Sequence, residues 1–147
     1  MLRSLASSTL AAWLKLQQLL SYLGLTQAAR TSRHHRFDAG GHSIIVCARG
    51  VRHPLELRAR SADLDVLMKV FADREYELPL RKKPRVILDG SANVGFAAVY
   101  YAELYPEAAV VAFKPDRNHF AMLERNTASY ASITVFVTCN LAQRCSG

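Results

Sequence analysis

Hydrophobic residues in this chain change their spacing several times, and each change marks a different element. Between positions 9 and 25, Trp13, Leu16, Leu19, Leu20 and Leu23 recur at intervals of three and four, the mark of one apolar helical face, with Lys15, Gln17, Gln18 and Ser21 among them. Gly40 and Gly41 break the chain, and residues 42–47 read as a β-strand closed by Gly50. A second short strand at 54–58 is expected to pair with it. From Ser61 the spacing of Leu64, Leu67, Met68 and Phe71 predicts a helix, capped by Ser61 or Asp63 and ending near Glu75 and Tyr76, ahead of Pro79.

Beyond Pro79 the pattern alternates between strand and helix. Val86, Ile87 and Leu88 form a run too short for a helix, ending in Asp89. Phe96, Val99, Tyr100 and Leu104 then share a helical face that Pro106 stops. Residues 109–113 read as a buried strand, Asn118 caps a helix carrying Phe120, Leu123 and Asn126, and residues 133–137 read as a third strand. Such alternation predicts an α/β fold with a parallel sheet and right-handed crossovers. The expected divisions are a basic amphipathic helix and linker at 1–36, strands and a helix preceding the core at 37–80, and a partial Rossmann-like domain at 81–147.

With 147 residues, half of them hydrophobic, the composition is that of one globular domain and not of a disordered segment. The formal charge of +7 looks like an invitation to an acidic partner until it is located. Arg3, Lys15, Arg30, Arg33 and Arg36 stand in an acid-free segment, and the other 14 basic residues face 12 acidic ones, leaving +2 for the remainder. Nucleic acid is therefore not the expected partner. The run Arg81-Lys82-Lys83-Pro84-Arg85 reads as a solvated linker, with a phosphate-contacting patch as the alternative.

Cys47, Cys139 and Cys145 are odd in number and lack C-x-x-C spacing, and His34, His35, His42, His53 and His119 have no metal-ligand spacing. Neither a disulfide framework nor a metal site is expected. Polar interruptions exclude a spanning helix at 9–25, since one needs ~20 mostly apolar residues. The favoured reading of that segment is a helix docked on the domain. Peripheral membrane contact and an organellar transit segment are its alternatives, so the expected location is cytoplasmic, or organellar on the last reading.

The chemistry of an open α/β sheet gathers beyond the carboxyl ends of its strands. The turn Asp89-Gly90-Ser91-Ala92-Asn93-Val94-Gly95 follows the first core strand there. Its small residues admit a ligand to the backbone, Asn93 can cap the helix, and N–H groups at the helix start suit an anion. Lys114 lies 19 residues after Gly95, where a nucleotide-binding fold presents a side chain to ribose hydroxyls.

The combined pattern is more specific than either part. Ile87-Leu88-Asp89 with Ala92-Asn93-Val94-Gly95, then Tyr105-Pro106-Glu107-Ala108, then Ala112-Phe113-Lys114-Pro115-Asp116 with Asn118, Phe120, Leu123 and Asn126, resembles the FkbM family of S-adenosylmethionine-dependent methyltransferases. Upstream, His53-Pro54-Leu55, Leu57-Arg58, Ser61, Asp63-Leu64 and Glu75-Tyr76 extend the resemblance to roughly residues 40 to 140. It implies a Rossmann-like class I methyltransferase fold, cut short after the third core strand and preceded by a helix and a small hairpin-and-helix segment. It also implies S-adenosylmethionine as cofactor. Asp89, Gly90, Ser91, Ala92, Asn93 and Gly95 would line its methionine and ribose, and Lys114, Pro115 and Asp116 its ribose and adenine. The implied reaction passes a methyl group, without a metal, to a hydroxyl of a small molecule or glycan.

Three departures bear on activity. Ser91 stands where the family has its first turn glycine, with a glycine shifted to position 90. Lys114 stands where an acid accepts bonds from both ribose hydroxyls, and an ammonium only donates. Charge-assisted bonds are worth ~1.5–3 kcal/mol each, so the exchange costs about one to four orders of magnitude in affinity. The sequence also stops just past the third strand, which leaves an exposed edge along residues 86–88 and names no catalytic base. Two readings follow: a methyltransferase, inactive as this truncated chain, and a non-catalytic interaction domain or decayed fragment on the same scaffold. A third has Lys114 receiving the phosphate of a dinucleotide.

Overall fold

In the computed structural model, which describes residues 43–59, 61–115 and 120–137, two small sheets share one hydrophobic core. The expected helix at 9–25, the whole 1–36 segment, Asp116, the Asn118 cap, His34, His35, His42, His119, Cys139 and Cys145 lie outside the described residues.

The first sheet is a hairpin of β1 (Ser43–Val46) and β2 (Leu55–Arg58), antiparallel, with Ser43 opposite Arg58 and Val46 opposite Leu55. Strand alternation turns Ile44, Val46, Leu55 and Leu57 into the core. The next helix, α1 (Asp63–Leu67), is not capped by Ser61 or Asp63 as expected. Ala62 occupies the cap position and supplies no side-chain bond. The Ser61 hydroxyl instead accepts the Asp63 N–H at 3.1 Å and donates to the Arg58 carbonyl at 2.9 Å. Asp63 turns inward, where its carboxylate accepts the Arg58 backbone N–H, Nε and Nη2 at 2.9, 2.8 and 2.7 Å. Burial pushes this carboxyl up, but the bonds from Arg58 outweigh it and hold it below the ordinary carboxylate range.

The helix continues as one wider turn, Met68–Ala72, in which the Asp73 N–H reaches back five residues to the Met68 carbonyl at 3.0 Å. It stops there, short of Glu75 and Tyr76, because Arg74 takes a left-handed conformation (φ 53°) that lets the Glu75 N–H close on the Lys69 carbonyl at 3.0 Å. An arginine is strained in that region, and its contact with Glu77 at 3.4 Å is too exposed to compensate. Arg74→Gly is therefore expected to raise stability by ~0.5–1 kcal/mol. Urea melts check this as a raised midpoint at unchanged slope.

The second sheet is the expected parallel one: β3 (Val86–Asp89), β4 (Ala109–Lys114) and β5 (Ile133–Val137), in that spatial order, with α2 (Phe96–Leu104) and α3 (Phe120–Thr127) between them in sequence. Val86 pairs with Ala109, Asp89 with Ala112, and Lys114 with Val137. Helix α2 packs against all three strands, α3 and the wide turn. It is therefore buried around most of its girth, at Phe96, Ala98, Val99, Tyr100 and Ala102, while Leu104, expected on its buried face, is 40% exposed. Among the described residues no helix is long and apolar enough to cross a membrane, and no three His, Cys, Asp or Glu side chains converge as metal ligands.

Polar ties bind hairpin to sheet. The Glu103 carboxylate accepts the Arg52 N–H and Nε at 2.8 and 2.9 Å and the Tyr130 hydroxyl at 2.6 Å. Buried Asn126 on α3 accepts the Glu56 N–H at 2.6 Å and donates to the carbonyls of Glu56 at 2.9 Å and Val94 at 2.8 Å. This last residue joins hairpin, helix and the turn after β3.

Candidate functional site

Adjacent parallel strands end at the same edge, so β3 and β4 carry Asp89 and Lys114 to one rim of the sheet. The chain leaving β3 folds back on itself. The Ser91 N–H donates to Asp89 Oδ1 at 3.2 Å, the Ala92 N–H to the Phe113 carbonyl at 3.1 Å, and the Gly95 N–H to the Ala92 carbonyl at 2.7 Å. The second of these bonds pins the turn across the end of β4. It also means that three backbone donors of the turn, those of Ser91, Ala92 and Gly95, are already engaged within the protein.

Within the turn, Gly90 and Ser91 are exposed, Ala92, Val94 and Gly95 are buried, and Asn93 lies between. Asn93 is not the helix cap. Gly95 holds that position with no side-chain bond, and Asn93 sits instead in the left-handed region (φ 44°), which asparagine tolerates better than most residues. Gly95 is required twice over. Its φ is 94°, and an added Cβ would stand 3.0 Å from Leu123 Cδ1 and 3.2 Å from Thr127 Cγ2. Positive φ occurs at neither Gly90 nor Ser91, so the serine is not strained by its backbone, and a Cβ at position 90 would meet no atom within 4 Å.

Asp89 is the electrostatic feature of the rim. Its Oδ1 is satisfied by Ser91, but Oδ2 is buried with no hydrogen-bond partner. Burial pushes this carboxyl above the ordinary range, and the single bond from Ser91 only partly opposes the rise. Tyr101, which sequence spacing did not single out, lies close by. Burial and then the charge of Asp89 push its phenol up, and its hydroxyl donates to the Tyr76 carbonyl at 3.1 Å. On the β4 side, Lys114 is half-buried as the last residue of the strand and Pro115 is exposed beyond it. Among the described residues Lys114 has no carboxylate partner. A separate groove of about 360 Å³, lined by Arg49, Phe71, Arg74, Tyr100, Glu103 and Leu104, includes none of the rim residues.

No known family profile matches the chain. It is 30% identical over 63 residues to the methyltransferase sdnD of Sordaria araneosa, a stretch that takes in 43% of this chain and 24% of that protein. The chain thus matches about a quarter of its curated relative's length. Among solved structures, a presumed transferase from Pyrococcus horikoshii superimposes with a TM-score of 0.49 at 15% identity, covering 71% of this chain and 39% of the other. What these findings support is a methyltransferase-like chain of mixed α/β fold with a parallel three-stranded sheet.

Proposed function

We propose that the rim formed by Asp89, the turn to Gly95 and Lys114 is the S-adenosylmethionine site of a methyltransferase of FkbM type, acting on a hydroxyl of a sugar or natural product. The observation that carries this reading is the orphaned Asp89 Oδ2, with the sdnD similarity beside it. A buried carboxylate oxygen without a donor costs ~1–3 kcal/mol, and such a cost persists at sites where a ligand relieves it. The methionine ammonium of the cofactor is a donor of the right charge for that oxygen. The backbone at Gly90 allows close approach, because a Cβ there would meet no atom within 4 Å.

The cofactor supplies a methyl group on a sulfonium, and the protein's share is alignment of that methyl with the acceptor oxygen, together with a base for the proton released. Lys114 does not fit the ribose, since it can only donate where the hydroxyls need an acceptor. The site as it stands suits the methionine end of the cofactor better than its nucleoside end.

Calorimetric titration with S-adenosylmethionine, run on the native chain and on Asp89→Asn, tests the proposal. The asparagine keeps an acceptor for Ser91 but loses the charge, and binding at least about tenfold weaker is expected, the loss of one charge-assisted bond. Equal binding by the two proteins defeats the assignment. The same variant should be the more stable one without ligand. Because Asp89 titrates higher when folded than when unfolded, the folded protein holds the extra proton, and stability falls as pH rises through the window between the two values. Asp89→Asn lacks that fall, so the two proteins converge in acid and diverge by ~1 kcal/mol at neutral pH.

Lys114 favours a second reading, in which the rim takes a nucleotide bearing a phosphate. NADPH in the same calorimeter distinguishes them, and a preference for it over S-adenosylmethionine replaces the first reading with the second.

A further inference from the structure

Between the wide turn and β3 the chain lies on the surface, with residues 73–83 all exposed. Its apolar and basic side chains come in order: Leu78 and Leu80 first, then Arg81, Lys82, Lys83 and Arg85. Leu78 is 54% exposed and Leu80 47%, and Val86 and Leu88, 59% and 69% exposed, carry the apolar character on into β3. Positions 78 to 88 hold four cations and no acid. The acid just before them, Glu77, is turned to Arg74 at 3.4 Å, and among the described residues none of the four cations has a carboxylate partner. The segment is also fastened at both ends. The Tyr101 hydroxyl donates to the Tyr76 carbonyl at 3.1 Å, and the Ala109 N–H donates to the Arg85 carbonyl at 2.9 Å. Between these ties the Leu80 N–H closes on the Leu78 carbonyl at 2.8 Å around Pro79, and Pro79 and Pro84 restrict the backbone further. Leucines and cations are thus presented by an ordered loop, which lowers the entropy lost on docking.

We infer that residues 78–85 dock on an anionic phospholipid surface, with Leu78 and Leu80 entering the boundary between headgroups and acyl chains and Arg81, Lys82, Lys83 and Arg85 meeting the lipid phosphates and carboxylates. Phosphate chemistry alone would suit a nucleic acid as well, but a polyphosphate backbone gives exposed leucines nothing to bury against. A lipid surface is anionic at its headgroups and apolar just beneath them, which is the order of chemistry this loop offers. Each basic residue near such a surface strengthens binding about fivefold, and each half-inserted leucine about five- to tenfold. Either set by itself gives weak attachment, and the two together give a firm one. The inference needs no cofactor and stands apart from the proposed S-adenosylmethionine site.

Co-sedimentation of the full chain with vesicles of equal parts phosphatidylserine and phosphatidylcholine tests it, beside vesicles of phosphatidylcholine alone. The native chain is expected to bind the mixed vesicles and to lose most of that binding on phosphatidylcholine alone, or in ~1 M salt, where charges are screened within about 3 Å. Lys82→Gln combined with Lys83→Gln should weaken binding about 25-fold, and Leu78→Ser combined with Leu80→Ser by at least as much. All four positions are exposed, so urea midpoints should hold. Lys69→Gln with Ile45→Ser, a matched loss of exposed charge and apolar surface outside the loop, should leave binding within about twofold of native. Failure to bind the mixed vesicles overturns the inference, and so does binding that neither loop pair weakens, which puts the contact elsewhere in the chain. Loss with the lysine pair only gives the loop to phosphate groups in general, nucleic acid included, and loss with the leucine pair only gives it to an apolar partner; each likewise overturns it.

Discussion

Exchanging Lys114 for glutamate tightens S-adenosylmethionine binding by about one to four orders of magnitude, the largest change in affinity expected of any single substitution in this chain. The argument is one of donors and acceptors. A ribose presents two hydroxyls as donors, and a carboxylate accepts both, whereas an ammonium accepts neither. Lys114 is the last residue of β4, paired with Val137, so a glutamate there starts from the same backbone position at the same rim as Asp89. Lys114→Met separates the two parts of the effect. If loss of the cation alone recovers the affinity, repulsion was the obstacle. If methionine binds like the native chain and glutamate far better, the missing acceptor was. A glutamate variant that binds no tighter removes Lys114 from the ribose site. The native chain should also show the smaller enthalpy of the two, and titration at raised salt should leave the glutamate advantage mostly intact, because a hydrogen bond at a half-buried strand end is screened less than a surface charge.

The parallel sheet was legible in the sequence because its strands are short apolar runs separated by helical spacing, and right-handed connectivity leaves few ways to arrange them. What the pattern misjudged were ends and faces. Helix α1 stops at the wide turn because Arg74 goes left-handed, and nothing in an arginine announces that conformation. Asn93 looked like a cap because asparagine caps helices, but the helix starts after Gly95, and the turn spends Asn93 on a positive φ two residues earlier. Leu104 looked buried because it shares a helical face with Phe96, Val99 and Tyr100, but it is the last residue of α2 and its side chain is exposed.

The candidate site divides in the same way. That Asp89, the following turn and Lys114 meet at one rim follows from strand order and could be read from spacing. The orphaned Oδ2, the engaged N–H groups of Ser91, Ala92 and Gly95, and the nearness of Tyr101 depend on atomic positions that no spacing encodes. Ser91, which stands where the resembled family has a glycine, is free of backbone strain because the positive φ angles of this turn fall at Asn93 and Gly95.

Asn126→Leu should cost ~3–5 kcal/mol, the largest stability loss expected from a surface-neutral change of similar volume. The leucine fills the space but leaves the Glu56 N–H, the Glu56 carbonyl and the Val94 carbonyl without their partner, in a region where Asn126 itself is only 3% exposed. Orphaned buried groups cost ~1–3 kcal/mol each, and water reaches the hairpin side more easily than the turn side, so the sum falls short of three full penalties. Asn126→Asp distinguishes hydrogen bonding from packing. At neutral pH its carboxylate still accepts the Glu56 N–H but faces two carbonyls at close range, so it should be as damaging as leucine or worse. Its folded pKa must then lie above its unfolded value, and the deficit relative to the native chain should shrink as pH falls through that raised value, when a protonated carboxyl can donate to one of the carbonyls. Leucine has no such recovery. Urea melts of the three proteins at neutral and acid pH make the comparison, and parallel loss in both variants at every pH would mean that shape, not the polar contact, is what Asn126 supplies. Because one of its three bonds ends on Val94, inside the turn that follows Asp89, the same residue that fastens the hairpin also fixes the floor of the candidate cofactor site.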